Sequence, residues 1–355
     1  MKKVLVPYLL LAFIVCAACN KAPESTPETE DFAALEKIVL TDFTNNIALS
    51  GYLNLSINAT KLNIALTNLN TTTNDANLAI AQQAWKDMRT VWEQSESYLF
   101  GPVEDNDYDP NMDTWPTDYV QLDSVLHSAN SLTVTDIQGF TLSLRGFHPI
   151  EYIIFGENSS RTAAELTARQ KTYMISLATD LTNTCNDLYL SWASAPVNFA
   201  QQVISAGSGS TKYAKKQEVF LALVDGLIGI CEEVGEGKMK EPYDAQDPQI
   251  VESPYSGNST TDFKNNITGL RNVYLGLNGG KGLKDLVAVK NKSLDNTIQS
   301  EITAAINSFD NISQPYGSAI ISQRVQIQQT IDALGVLKET LEDELKPFVI
   351  QYIQD

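Results

Sequence analysis

Histidine is scarce in this chain, because only His127 and His148 occur among its 355 residues. The HExxH pattern, which supplies two imidazole ligands and a catalytic carboxylate from one helix, is absent. No serine stands in the Gly-x-Ser-x-Gly context of a nucleophile elbow, and His127 has no recognisable catalytic partner. These absences exclude the common zinc-peptidase helix and argue against a serine hydrolase.

Basic residues are also few, with 25 lysines and arginines against 43 aspartates and glutamates. The formal net charge is therefore −18 at neutral pH. A surface of this sign repels nucleic acid and anionic lipid, and it raises the local concentration of cations. We therefore predict no nucleic-acid partner, although an acidic surface also serves plain solubility.

Long hydrophobic runs are missing except at the N-terminus, where residues 4–15 are apolar and follow two lysines. This pattern predicts a signal peptide over residues 1–18 rather than a membrane-spanning helix. The Cys16-Ala-Ala-Cys19 stretch resembles a bacterial lipobox, which predicts a lipidated Cys19 and a lipid-anchored protein of the cell envelope. The alternative is an ordinary secretory signal. Residues 19–31, rich in Pro, Glu, Ser and Thr, are predicted to be a flexible tether.

Cysteine is rare as well, and the predicted mature chain keeps only Cys185 and Cys231 besides Cys19. The two are not spaced as a zinc site. Outside the cytoplasm they could form a disulfide, and buried free thiols are the alternative.

Sustained alternation of polar and apolar residues is nearly absent, whereas apolar residues recur at steps of three and four. The pattern predicts an all-α protein with two helical-bundle domains, residues 32–195 and 196–355, and a possible duplication. Pro196 and the Gly-Ser run at 207–210 favour that boundary. Helices are predicted over residues 31–68 (two, broken near 58), 75–101, 162–193, 211–239, 281–312 and 318–350.

The most informative segment runs from Gly146 to Gly156 and contains His148 and Glu151. A spacing of three residues places both side chains on one helix face. Pro149 disfavours helical geometry in the residue before it, so His148 is predicted at a helix start or at a kink. An imidazole beside a carboxylate suits metal binding or proton transfer, and a structural core histidine is the alternative.

A second acidic pair, Glu93 and Glu96, lies one turn after Arg89 on a helix rich in tryptophan. If these residues are exposed to solvent, they form no more than an ordinary Arg–Glu ion pair on one helix face. Buried near His148 together with Asp113 or Asp109, they would form an oxygen-rich site with a single nitrogen ligand. Such a ligand set suits iron, calcium, manganese or zinc.

Several blocks together resemble the imelysin-like family, also described as insulin-cleaving membrane proteases. The segment Gly146–Gly156 looks like the family's GxHxxE element. The match is completed by Trp85–Glu96 running into Phe100-Gly-Pro102, by Asp113-Thr-Trp-Pro116, and by Glu252-Ser-Pro-Tyr-Ser256 with Asn258, Ser259 and Asp262. Pro149 departs from the family pattern, because a small or apolar residue is common there.

The resemblance implies two helical bundles with a cleft between them near His148, an envelope location and a link to iron. It implies metal ligands among five residues: His148, Glu151, Glu96, Asp113 and Glu93. It also implies a set of cleft-lining residues: Arg89, Trp115, Ser253, Ser256 and Asp262.

Three functions remain open from the sequence. The first is a metal-binding envelope lipoprotein for iron acquisition, with iron as the expected metal and a metal-carrying ligand or iron-uptake components as partners. The second is a metallopeptidase with Glu151 as its catalytic carboxylate. Zinc peptidases usually need three protein ligands and a base, and one histidine among carboxylates fits that poorly. The third is a ligand-binding or adhesion bundle in which the HxxE element is structural.

Overall fold

The computed structural model describes Met1 and residues 32–354. Within these residues every regular element is a helix and no strand occurs, which confirms the predicted all-α class. The predicted signal peptide, the tether and Cys19 lie outside the described residues, apart from Met1. No helix in the described part combines the length and the apolar character needed to span a membrane.

Eighteen α-helices make up most of the described chain. The first nine are α1 (Phe32–Asp42), α2 (Ser50–Thr71), α3 (Asp75–Ser95), α4 (Pro102–Asp105), α5 (Tyr108–Asp113), α6 (Tyr119–His127), α7 (Val134–Gln138), α8 (Phe147–Phe155) and α9 (Ala168–Ala193). The remaining nine are α10 (Phe199–Ile204), α11 (Lys216–Glu232), α12 (Lys240–Ala245), α13 (Ser259–Leu275), α14 (Leu283–Lys290), α15 (Lys292–Ser308), α16 (Tyr316–Ser322), α17 (Arg324–Thr340) and α18 (Lys346–Tyr352).

Shorter helical segments of other types join or extend these helices. Three are π-helical: Phe43–Leu49, Glu233–Met239 and Leu341–Leu345. Six are 3-10 segments: Glu96–Tyr98, Leu142–Leu144, Glu157–Ser159, Ala163–Glu165, Pro248–Ile250 and Phe309–Asn311.

Three predicted helices are divided wrongly, and the α-helices predicted from residues 162 and 211 begin later, at Ala168 and Lys216. The break expected near Asn58 does not exist, because α2 runs through it with Leu55, Ala59 and Leu62 buried on one continuous face. The helix predicted over 281–312 is instead broken at Asn291, whose side chain accepts a hydrogen bond from the Leu294 N–H and so caps α15. The helix predicted over 318–350 is likewise interrupted, at Gln323.

Helix α3 forms where its sequence places it. Asn74 caps the N-terminus by accepting a hydrogen bond from the Asn77 N–H at 2.8 Å. The helix then presents an apolar stripe that is completely or almost completely buried, as the spacing predicts. Its members are Leu78, Ala81, Trp85, Met88 and Trp92.

Helix α3 also contacts elements from both predicted bundles. It packs against α2 and α8 from the first half of the chain and against α13 from the second half. The approach of α13 is close, because a Cβ on Gly269 would lie 2.2 Å from the carbonyl oxygen of Gln94. Polar side chains near the C-terminal end of α3 are therefore held against residues of the second half. The division at residues 195 and 196 and the duplication stay predictions.

The two described cysteines are not joined. Cys185 and Cys231 are both buried and both free, and burial raises the pKa of each thiol. The structure therefore selects the free-thiol alternative over a disulfide.

Candidate functional site

His148 lies at the start of α8, with Glu151 one turn later, as the sequence predicts. The preceding Gly146 has φ of 76°, and a Cβ there would lie 1.9 Å from the carbonyl oxygen of Met112. The glycine thus lets the backbone at the end of α5 come against the start of α8. This approach brings Asp113 to the imidazole, whose Nε2 lies 3.1 Å from Asp113 Oδ1.

Glu151 lies on the other side of the same imidazole. Its Oε2 is 3.3 Å from His148 Nδ1. Its Oε1 accepts hydrogen bonds at 2.7 Å from both the backbone N–H and the hydroxyl of Ser256. Glu151 therefore orients the imidazole and ties α8 to the segment before α13, and it does not face the carboxylates on the Nε2 side.

Arg89 is fully buried and joins carboxylates from both halves of the chain. Its guanidinium donates to Asp113 and pairs with Glu93 one turn along α3. Its Nη2 also lies 2.6 Å from Glu252 Oε1 and 3.8 Å from Asp262 Oδ2. The buried guanidinium rests 4.9 Å from the ring centre of Phe147.

Lys238, in the π-helical segment, is the second cation of the site. Its Nζ lies 3.0 Å from Glu96, 3.4 Å from Glu252 and 3.8 Å from Glu93. Asn266 of α13 donates from its amide nitrogen to both Glu93 and Glu96. These contacts fix the amide orientation, and the buried Oδ1 of Asn266 then has no hydrogen-bond partner within the described residues.

We call these nine residues the buried charge network. It comprises Arg89, Glu93, Glu96, Asp113, His148, Glu151, Lys238, Glu252 and Asp262. Six of its members carry carboxyl groups and three carry basic groups, so the fully ionised network would hold three surplus negative charges. Burying unpaired charge is costly, and proton uptake or a bound cation would relieve that surplus.

The pKa values of the acids reflect burial first and repulsion between carboxylates second. Burial together with repulsion by Glu93 raises the pKa of Glu96 well above its usual value. Burial likewise raises the pKa values of Glu93 and Asp262, although Arg89 opposes both shifts. At the rim, burial and the nearby Asp113 carboxylate raise the pKa of Asp109 to about 7.

The pKa shifts of His148 and Asp113 favour the charged form of each group, whereas those of Glu96 and Asp262 favour the neutral form. Burial opposes protonation of His148, but its contacts with Asp113 and Glu151 outweigh burial and raise its pKa to about 9. Burial favours a neutral Asp113, but Arg89 and His148 outweigh it and lower the pKa of this carboxyl. Without a metal, the pair is therefore an imidazolium facing a carboxylate at neutral pH.

A cavity of about 290 Å³ opens onto the network. Six carboxyl-bearing residues line it, together with Lys238 and Trp115: Glu96, Asp109, Asp113, Glu233, Glu241 and Glu252. The ring of Trp115 lies 4.7 Å from the imidazole of His148, centre to centre. Small cations thus have an acidic route to the buried side chains.

The remaining predicted cleft residues lie behind this cavity rather than along it. Ser253 and Asp262 are buried next to each other, and Asp262 accepts a hydrogen bond from Asn258 at 2.6 Å. Ser256 holds Glu151, as described above. Arg89 lies in the centre of the network, where it contacts Asp113 on the cavity wall.

Among the residues that the structure describes, two groups of side chains have the geometry to hold a metal ion. One is Asp113, His148 and Glu252, and the other is Glu93, Glu96 and Asp113. Within each group, one ligand atom per residue lies within 4.8 Å of the others. Carboxylates with at most one imidazole suit hard or borderline cations such as iron and manganese, so the residues fit such an ion.

Three residues of the site were missed by sequence reasoning. Glu252 stood in a segment quoted for the family resemblance, but it was not named as a ligand. Lys238 and Asn266 gave no signal, because a lysine in an acidic stretch and an asparagine in a helix are ordinary surface residues. Lys238 and Asn266 are recognised as site residues only from their contacts with Glu96 in the first half of the chain.

Comparisons with known proteins agree with this architecture. The imelysin family model (Peptidase_M75: Imelysin) matches residues 48–341. A protein named "Iron-regulated protein A" from Synechococcus elongatus is 28% identical over 325 residues, covering 89% of this chain and 88% of that protein.

Two solved structures share the fold. The crystal structure of a protein assigned as an iron-regulated protein A precursor from Parabacteroides distasonis matches with a TM-score of 0.79 and 24% identity, covering 87% of this chain and 94% of that one. An imelysin-like protein from Psychrobacter arcticum matches with a TM-score of 0.73 and 13% identity, covering 91% and 98%. Because the family model spans most of the chain, this protein belongs to the imelysin family.

Proposed function

We propose that this protein binds a metal cation, with iron favoured, through the buried charge network. The observation that carries the proposal is the surplus of buried carboxyl groups beside an acidic cavity. Three basic side chains offset six carboxyl groups there, and burial together with repulsion between neighbouring carboxylates raises the pKa values of Glu96 and Asp262. A cation of charge two or three would replace protons in this network.

Asp113, His148 and Glu252 would provide the ligands, with Glu93 and Glu96 as the neighbouring group. Asp113 belongs to both groups and lines the cavity. Glu151 would support the site indirectly, because a carboxylate on the far ring nitrogen fixes the orientation of a ligating histidine. Iron is favoured by the oxygen-rich ligand set and by the name of the Synechococcus relative.

Calorimetric titration tests the metal proposal directly. Purified protein would be titrated with Fe(II) under anaerobic conditions and with Mn(II) as a redox-inert substitute. We expect Asp113→Asn and Glu252→Gln to weaken binding at least tenfold. Asp123→Asn, which removes an exposed carboxylate with no contact to the network, is the matched control and should bind like the wild type. Lack of binding by the wild type, or equal binding by all variants, would refute the proposal.

We further propose that the protein serves iron acquisition from the cell envelope, anchored through a lipidated Cys19 and in contact with iron-uptake components. The lipobox-like Cys16-Ala-Ala-Cys19 sequence supports the anchor. Membrane fractionation of cells that express wild type or Cys19→Ala tests it. The anchored form should sediment with membranes, and the variant should appear in the soluble envelope fraction. Equal distribution of the two forms would contradict the anchor.

Two contacts favour binding over peptide hydrolysis. The imidazole is flanked by carboxylates at both nitrogens, and Glu151 already accepts two hydrogen bonds from Ser256. A catalytic base needs a free oxygen within reach of the attacking water. Cleavage of an oxidised peptide chain by purified protein, abolished in Glu151→Gln, would reverse this ranking.

A further inference from the structure

Lys238 occupies an unusual position for a lysine. Four carboxylates surround its Nζ, at 3.0 Å for Glu96, 3.2 Å for Glu233, 3.4 Å for Glu252 and 3.8 Å for Glu93. Only 13% of the side chain is exposed. An ammonium group is a compact point charge, so this arrangement of oxygens around Nζ resembles the surroundings of a bound cation.

The backbone that carries Lys238 is also unusual. The segment Glu233–Met239 is π-helical. This geometry is rare in proteins, and where it occurs it is often at a functional site. Gly237, directly before Lys238, lines the cavity, and a Cβ there would meet no atom within 4 Å. Lys238 itself lines the cavity, so its side chain borders open space, and its flexible bonds allow Nζ to leave the carboxylates while the backbone stays in place.

We propose that Lys238 is a tethered internal counter-ion, which holds the cation position of the acidic cavity and is displaced when a metal cation binds. This inference rests on the proposed metal-binding function and adds a regulatory element to it. The Nζ of Lys238 contacts members of both ligand groups, Glu252 in one and Glu93 and Glu96 in the other. A metal ion and the ammonium group therefore compete for the same carboxyl groups.

Removing the lysine charge should strengthen metal binding. We expect Lys238→Met, which keeps an unbranched apolar side chain but lacks the terminal ammonium group, to bind Mn(II) at least tenfold more tightly than the wild type in calorimetric titration. Lys240→Met is the matched control, because it makes the same change in net charge two residues away. Lys240 is partly exposed and pairs with Asp244 outside the network, so its loss should alter affinity less than twofold.

Displacement can also be measured in the wild-type protein. An amine-reactive acetylating reagent would be applied with and without Mn(II), and each lysine would be quantified by mass spectrometry. We expect Mn(II) to increase labelling of Lys238 several-fold, because the amine leaves its four carboxylates, and to leave Lys240 unchanged. This measurement keeps the proposal testable if Lys238→Met fails to fold.

The outcomes separate this inference from the proposed function. If the wild type binds Mn(II) but Lys238→Met binds it no more tightly, and labelling does not rise, Lys238 is not the competitor and metal binding stands. If only Lys238→Met binds, metal does not displace the lysine of the wild type, and both the displacement and the proposed function fail. If neither form binds Mn(II) or iron, both proposals fail.

Discussion

Each of the two histidines lies one helical turn from a carboxylate, but the two pairs differ completely in burial. His127 lies one turn from Asp123, with 3.4 Å between Nδ1 and the carboxylate, and His148 lies one turn from Glu151, with 3.3 Å. The side chains of the first pair are 77% and 73% exposed, whereas both side chains of the second pair are fully buried. An exposed pair contributes little to stability, but a buried pair requires partners for every charge. Spacing alone therefore does not distinguish a solvated pair from a site.

Substitution of Arg89 should cause the largest loss of stability, because this cation pairs with the carboxylates that surround His148. Arg89→Met would leave Glu93, Asp113 and Glu252 without their shared guanidinium. Breaking a buried charge pair costs about 3–5 kcal/mol of unfolding free energy, so we expect a loss of that size in urea denaturation of the metal-free protein.

Arg89→Lys provides the matched comparison for Arg89→Met. It retains the charge but loses the planar geometry that reaches several carboxylates, so it should recover only part of the lost stability. A loss below about 1 kcal/mol for Arg89→Met would show that the network tolerates its surplus charge and would weaken the contrast with the exposed pair.

Substituting each histidine tests the comparison directly. His148→Ala removes the partner that Asp113 and Glu151 share, and it should cost roughly 2–3 kcal/mol in the metal-free protein. The loss should be smaller than for Arg89→Met, because Asp113 keeps the Trp92 indole N–H at 2.7 Å and Glu151 keeps Ser256. His127→Ala should leave the urea midpoint nearly unchanged.

The same pair of variants bears on the structural alternative for the HxxE element. If His148→Ala lowers stability and metals neither bind nor raise the melting temperature of the wild type, the histidine is a core residue only. Equal effects of the two histidine substitutions would instead remove the distinction between the two regions.

Loss of the Ser256 hydroxyl, which donates a hydrogen bond to Glu151, should cause the smallest loss of stability. Ser256→Ala removes one of two hydrogen bonds to Oε1 and leaves the backbone N–H in place, so we expect a loss of about 1 kcal/mol in the same denaturation assay. Ser322→Ala, at an exposed serine that donates only to the Ser318 carbonyl oxygen, is the control. Indistinguishable midpoints for these two variants would show that the Ser256 hydroxyl is not needed to hold Glu151.

Local sequence patterns predicted much of the fold. The apolar stripe of α3 and the start of α8 at Gly146 were both evident, because helix periodicity and a break before proline are local signals. The predictions failed where short-range chemistry competed with periodicity. Asn58 donates to the Asn54 carbonyl oxygen within α2 instead of ending it, whereas Asn291 caps a new helix.

The site was predicted in part. His148 and Asp113 are in contact, and Glu93 and Glu96 are buried beside them. All four residues were predicted from the sequence. Glu151 was placed correctly next to His148, but the sequence did not show that its second oxygen would be held by Ser256. Lys238 was missed because its four carboxylate neighbours are distributed over three separate segments of the chain.

The sequence by itself determined the helical class, the helix break next to His148 and the acidic character of the molecule, because each follows from local spacing or from composition. The tertiary structure alone decided which acids lose contact with water and which cations reach them. Glu93 and Glu233 both stand near the end of a long helix, yet the first is buried and the second is exposed. Desolvation depends on the packing of distant segments, and it turns an ordinary acidic helix end into a candidate metal site.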